Sequence, residues 1–180
     1  MTQLPRPVRA VLAVVDALEA CDVDYALSGS FAAAYHGHVR ATADADLKVQ
    51  LPGPSALEDA FERLPTGTRR VDDLTWEVEP GFVVELYPVV DRLDEASMRT
   101  RVRGPVFPAV DREVWIVTLE ALLVNKLREH LVYPADAKHV SDIRALLALN
   151  HDRLDVDELE RLLALDPAWP DAWRAHVEPP

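Results

Sequence analysis

The sequence predicts an α/β (α+β) fold, a mixed twisted sheet flanked by helices and followed by a helical C-terminal lobe. Three observations carry this. Short apolar runs of strand length alternate with amphipathic helical patterns up to about residue 118, and helical periodicity alone follows it. The composition, 49% apolar and 28% charged, is that of an ordinary globular protein. The 180 residues suffice for one compact unit in two lobes, divided as 1–118 and 119–180.

The elements follow in order. Pro5 and Pro7 precede apolar residues at helical spacing (Val8, Leu12, Val15, Leu18), which predicts a helix over 8–20. Residues 25–27 read as a short buried strand. Ser28-Gly29-Ser30 reads as a tight turn into an Ala-rich helix over 31–35, stopped at His36-Gly37. A strand over 45–51 ends at Pro52-Gly53-Pro54, and Ser55 is the expected cap of a helix to about residue 64. Residues 74–78 and 82–90 form a hairpin through Glu79-Pro80-Gly81. A strand over 114–117 leads to Thr118, the cap of a helix over 119–131 that Pro134 terminates. Helices over 137–149, 156–165 and 170–176 complete the pattern.

The formal net charge of −12 argues against general nucleic-acid binding, because that affinity comes mostly from Lys and Arg displacing counterions. The single cysteine, Cys21, excludes an intramolecular disulfide and a multi-cysteine metal site, and is expected as a small buried apolar residue. Asp16 and Glu19 interrupt the N-terminal apolar run too early for a signal or membrane helix. The expectation is a soluble cytoplasmic protein with no membrane partner.

Three groups of residues point to chemistry. Gly29 ends a buried strand, where a missing side chain lets the backbone approach a ligand, and Ser30 adds a hydroxyl at the start of a helix. A plain turn with a serine cap explains the same pair. Asp44 and Asp46, two apart on a strand, project from one face about 6 to 7 Å apart at the backbone, near enough to share cations. The competing explanation is neutralisation by Lys48 on the same face or by Arg40 just upstream. Glu85 lies in the apolar run Phe82-Val83-Val84-Glu85-Leu86-Tyr87, where a carboxylate needs a cation, hydrogen bonds or a proton. Glu77, in the neighbouring strand, is a weaker candidate. Arg99, Arg101 and Arg103 alternate and, if extended, would present three guanidiniums to an acceptor phosphate or an RNA end, or else form a solvated face offsetting Asp91, Asp94 and Glu95. His36, His38 and His130 match no zinc spacing.

Leu27-Ser28-Gly29-Ser30, the helix with Ala32 and His36-Gly37, and Arg40-Ala41-Thr42-Ala43-Asp44-Ala45-Asp46-Leu47 together resemble the nucleotidyltransferase superfamily that includes DNA polymerase β. Thr118-Leu119-Glu120-Ala121-Leu122, Lys126 and Lys138-His139-Val140-Ser141-Asp142-Ile143 are similar to the helical segment of its small bacterial branch of AbiEii-like and toxin–antitoxin nucleotidyltransferases. The resemblance spans residues 23–149. It implies a nucleotidyltransferase core and Mg²⁺-dependent transfer of a nucleoside monophosphate from an NTP to an acceptor hydroxyl. Asp44, Asp46 and Glu85 would be the catalytic and metal-binding carboxylates of a two-metal site. Gly29, Ser30, Arg40 and Lys126 would bind the nucleotide, with Glu85 helping to deprotonate the acceptor. The third acid is Glu where Asp is more usual.

The residues themselves leave alternatives at this point. Lys126 also suits a surface pair with Glu129 or Glu120, and Lys138 with Asp142 at i and i+4 suits a helix-surface ion pair. The acceptor, whether small molecule, protein or tRNA end, is open, as is a resistance or toxin–antitoxin context. The second function is a catalytically weak fold that serves as the binding partner of another protein.

Overall fold

A computed structural model describes residues 4–107 and 110–177. Helix α1 (Arg6–Glu19) leads to β1 (Asp24–Leu27), α2 (Gly29–Tyr35), β2 (Asp44–Gln50) and α3 (Ala56–Phe61). Then come β3 (Arg69–Arg70), β4 (Thr75–Glu79), β5 (Phe82–Pro88), α4 (Arg92–Thr100), β6 (Val102–Pro105) and β7 (Glu113–Ile116). Four helices follow: α5 (Leu119–Val132), α6 (Lys138–Asn150), α7 (Val156–Leu163) and α8 (Trp169–His176). None of the described helices is long and apolar enough to cross a membrane.

The strands form one mixed sheet in the order β3-β4-β5-β2-β1-β7-β6, in keeping with the expected α/β class. Strand β2 lies in its middle, parallel to β5 and antiparallel to β1. Its sequence explains that place. Ala45, Leu47 and Val49 are fully buried on one face, and Asp44 and Asp46 leave the other. Helix α1 turns Val8, Val11, Val15 and Leu18 into the core over β4 and β5. Its Arg9 Nε donates to Glu79 Oε1 of β4 at 2.9 Å.

Ten of the fourteen residues of α5 are buried, which fits its contacts with α2, α4, α6, α7 and α8. Thr118 caps it as the sequence predicts, its hydroxyl accepting from the Ala121 amide at 3.4 Å. A single buried apolar cluster runs from α1 through the sheet to Leu159, Leu162 and Trp173.

Several expectations need correction. Ser55 makes no capping bond to the backbone; its hydroxyl donates to the Asp59 carboxylate at 3.2 Å. Helix α3 ends at Phe61, short of residue 64. Cys21 is only partly buried and accepts from Arg63 Nε at 3.1 Å. The three arginines are not an extended row. Arg99 lies in the last turn of α4, while Arg101 and Arg103 lay their guanidiniums 4.9 and 5.1 Å from the Trp115 ring centroid. Both are also committed to acids, Arg101 to Asp24 at 2.5 Å and Arg103 to Glu19 at 3.9 Å.

Candidate active site

The site is built from the junction of β1 with α2 and from the facing edges of β2 and β5. The Ser28 amide donates to the Asp46 carbonyl at 2.8 Å, which brings the turn after β1 against the start of β2. Gly29 follows with φ +54, a left-handed conformation that favours glycine. A Cβ there would lie 1.6 Å from Asp46 Oδ2, so the acid and the glycine occupy complementary space. Ser30 is 4% exposed, and its hydroxyl has no hydrogen-bond partner. Buried hydroxyls almost always have one.

In the parallel register of β2 with β5, Asp46 stands beside Glu85 and Asp44 beside Val83. Neighbouring strands are about 4.8 Å apart, and registered residues project to the same face, so the three acids share one surface. A hydroxyl holds each outer acid. Thr42 Oγ1 donates to Asp44 Oδ1 at 2.6 Å, and the Tyr87 hydroxyl donates to Glu85 Oε2. Burial, and then the charges of Asp44, Glu129 and Glu85, push the Asp46 carboxyl up to about 7, with only Lys126 acting in the opposite sense. Burial and the Glu85 hydrogen bond push the Tyr87 phenol up as well, so it stays protonated at neutral pH.

Lys48 leaves the same face of β2 but takes no part in this cluster. Its Nζ lies 2.5 Å from Asp94 Oδ1 on α4, and Arg128 reaches the same oxygen at 3.1 Å. Burial alone would raise the Asp94 carboxyl, but Lys48 and Arg128 outweigh it and hold it below the usual range. Glu77 is likewise engaged elsewhere, pairing with Arg69 and accepting from the Gly81 amide at 2.8 Å.

The cations opposite the acids converge on Asp142 of α6. Lys126 is 4% exposed and not a surface lysine; its Nζ donates to Asp142 Oδ2 at 2.7 Å. Arg40 Nε meets the same oxygen at 3.3 Å, and His38 Nε2 meets Oδ1 at 3.1 Å. Asp142 is therefore not the partner of Lys138, which pairs with Asp136 at 3.1 Å. Burial would raise the Asp142 carboxyl, but the hydrogen bond and charge of Lys126, with His38 and Arg40, hold it low. His36 is a structural residue, its Nε2 3.0 Å from the Val117 carbonyl.

All seven candidates, Gly29, Ser30, Arg40, Asp44, Asp46, Glu85 and Lys126, line one cleft of about 670 Å³. Thr42, Tyr87, Glu129, Tyr133 and His139 also line it, and sequence reasoning missed them. Thr42 and Tyr87 each lie two residues from a candidate acid, His139 lies in a segment that carries the resemblance, and Glu129 is a sequence neighbour of Lys126. Among the described residues, no three His, Cys, Asp or Glu side chains are drawn together as a ready metal-ligand set. Asp44, Asp46 and Glu85 stand side by side on the sheet without forming such a set. Their donor chemistry does fit a hard divalent cation: oxygen ligands, side by side, with the central one short of positive charge.

No protein-family model matches the chain, and no curated protein matches its sequence. Solved structures do match. The solution structure of the antibiotic-resistance factor ANT(2'')-Ia superimposes with a TM-score of 0.63 at 21% identity, covering 93% of each chain. The crystal structure of ANT(2'')-Ia in complex with adenylyl-2''-tobramycin gives 0.62 at 20% identity, covering 92% of this chain and 98% of that one. An antigenic nucleotidyltransferase-like protein from Paracoccidioides brasiliensis gives 0.59 at 17% identity, covering 96% and 94%. With its mixed seven-stranded sheet and flanking helices, the chain has the fold of these nucleotidyltransferases.

Proposed function

We propose that the chain transfers a nucleoside monophosphate from an NTP to the hydroxyl of a small-molecule acceptor in a magnesium-dependent reaction. The observation that carries this reading is the meeting, in one cleft, of Asp44, Asp46 and Glu85 with the unpartnered Ser30 hydroxyl. The acids suit cations, and the hydroxyl suits an anionic oxygen. In this reading the three carboxylates hold Mg²⁺, which supplies positive charge to the crowded oxygens around the α-phosphorus. Gly29 leaves the backbone bare for a phosphate, and Ser30 Oγ donates to a β or γ oxygen. Lys126 and Arg40, held on the opposite wall by Asp142, offset the triphosphate charge. Glu85 accepts the proton of the attacking hydroxyl.

The acceptor is assigned to a groove of about 620 Å³ that shares Glu85 and Tyr87 with the cleft. Lys48 and Arg128 in its wall are balanced by Asp94 and by Asp91 just outside it, which leaves Asp72 and Glu85 to set its charge. An amine-bearing alcohol suits such a groove. The ANT(2'')-Ia structure that contains adenylyl-2''-tobramycin supports a small-molecule acceptor. The motifs over 40–47 and 118–143 support the AbiEii-like affiliation, for which a protein or a tRNA end is the alternative acceptor. Cys21, the single cysteine, fits a cytoplasmic setting.

Thermal melting with each NTP, with and without Mg²⁺, tests binding on wild type and Asp46→Asn. A ligand at a hundred times its dissociation constant adds about 2.7 kcal/mol to stability. A magnesium-dependent rise in wild type that is lost in Asp46→Asn is expected. Wild type that melts alike with and without every NTP overturns the reading. Pyrophosphate release on adding amino alcohols, protein or tRNA then identifies the acceptor class.

A further inference from the structure

Tyr87 stands two residues after Glu85 on β5, so both side chains leave the same face of the sheet. Its hydroxyl donates to Glu85 Oε2, and the residue is 45% exposed. It lines the cleft on one side and the groove on the other. A nucleotidyl acceptor must present a hydroxyl within hydrogen-bond reach of the base, in space open to the α-phosphate. Tyr87 meets the first requirement from within the chain, and it lines the cleft that the second concerns.

Two other hydroxyls near the acids, those of Ser30 and Thr42, do not. Ser30 is buried and has no carboxylate partner. Thr42 divides its hydroxyl between the Asp44 carboxylate at 2.6 Å and the Asp44 carbonyl at 3.2 Å, across the cluster from Glu85.

Resting on the function proposed above, we propose that Tyr87 is itself a nucleotidyl acceptor, so that the chain modifies its own cleft when no acceptor fills the groove. Tyr87 Oη attacks the α-phosphorus of the bound NTP, and its proton passes to the Glu85 carboxylate. The new Oη–phosphorus bond replaces the bond to the oxygen that bridges to the β-phosphate, and pyrophosphate leaves. No oxidant or further reactant is needed. The product carries a nucleoside monophosphate on the ring that borders the groove, where it obstructs the acceptor's approach to Glu85. Occupancy of the groove thus decides between turnover and self-arrest.

The test is intact-mass measurement after incubation of the full chain with Mg²⁺ and each NTP, without acceptor, alongside melting with the same ligands. Addition of one nucleoside monophosphate is expected, with peptide fragmentation locating it on Tyr87. Tyr87→Phe, which keeps the ring, is expected to take up none, and Glu85→Gln to slow the addition at least about a hundredfold through loss of the base and of a metal-holding carboxylate. A magnesium-dependent melting shift with no added mass overturns self-modification and leaves the transferase reading standing. So does an adduct on Thr42 or any other residue, or one that persists in Tyr87→Phe. The absence of any NTP-dependent shift in wild type overturns both.

Discussion

At Asp46, burial acts first and the neighbouring carboxylates second, and together they bring its titration to about neutral pH. The sign of the consequence follows. A carboxyl raised from 3.8 to about 7 on folding contributes stability that is full below the lower value and is lost as pH rises through the upper one. Over that window the loss is on the order of 4 kcal/mol for the metal-free chain. Asp46→Asn removes the titration while keeping the shape. In chelator the variant is expected to be more stable than wild type by a few kcal/mol at pH 8, with the gap closing toward pH 4, as read by urea unfolding at several pH values. A variant that is no more stable at pH 8 contradicts the strained-carboxylate account. The acid pair itself is legible in the sequence, because Asp at alternate positions of an apolar strand conflicts with strand preference. The destination of Lys48 is not, since the Asp94 that takes it up lies 46 residues away. Neither is the convergence of His38, Arg40 and Lys126 on Asp142, which joins three separate segments.

Elements with a clean period were readable, and those with mixed signals were not. Helix α1 and helices α5 to α8 announce themselves by spacing, and the β4–β5 hairpin by Pro80-Gly81. Helix α4 was missed although Asp91 caps it, accepting from the Asp94 amide at 2.9 Å, and Arg99 closes it. Arg99, Arg101 and Arg103, which alternate across its end, suit an extended chain as a pattern. Strand β3 has two residues, too few for any period, and β6 contains Gly104 and Pro105, which read as a turn. Gly104 nonetheless has a packing reason. A Cβ there would stand 2.3 Å from Cε2 of Tyr35, the last residue of α2. Gly104→Ala is therefore expected to force β6 and α2 apart and to cost about 1–3 kcal/mol in urea unfolding. An unchanged midpoint refutes the tight α2–β6 contact.

Over the whole molecule, the fold class is legible because strand and helix patterns segregate, and α5 is buried deep in the common core. The acids and the cations of the cleft are also carried differently. Asp44 and Asp46 ride on β2, hydrogen-bonded along both edges to β5 and β1. His38 and Arg40 ride on the connection between α2 and β2, and Lys126 and Asp142 on helices. Backbone amides release their protons to heavy water only as fast as local structure opens. Amides of residues 45–49 are expected to exchange among the slowest in the chain and those of 37–43 far sooner, as followed by deuterium uptake. Comparable rates in the two segments would argue against it. The acids of the cleft are thus carried by the sheet's interior, whereas Arg40 reaches the cleft from a connection that its own pairing with Asp142 fastens to α6.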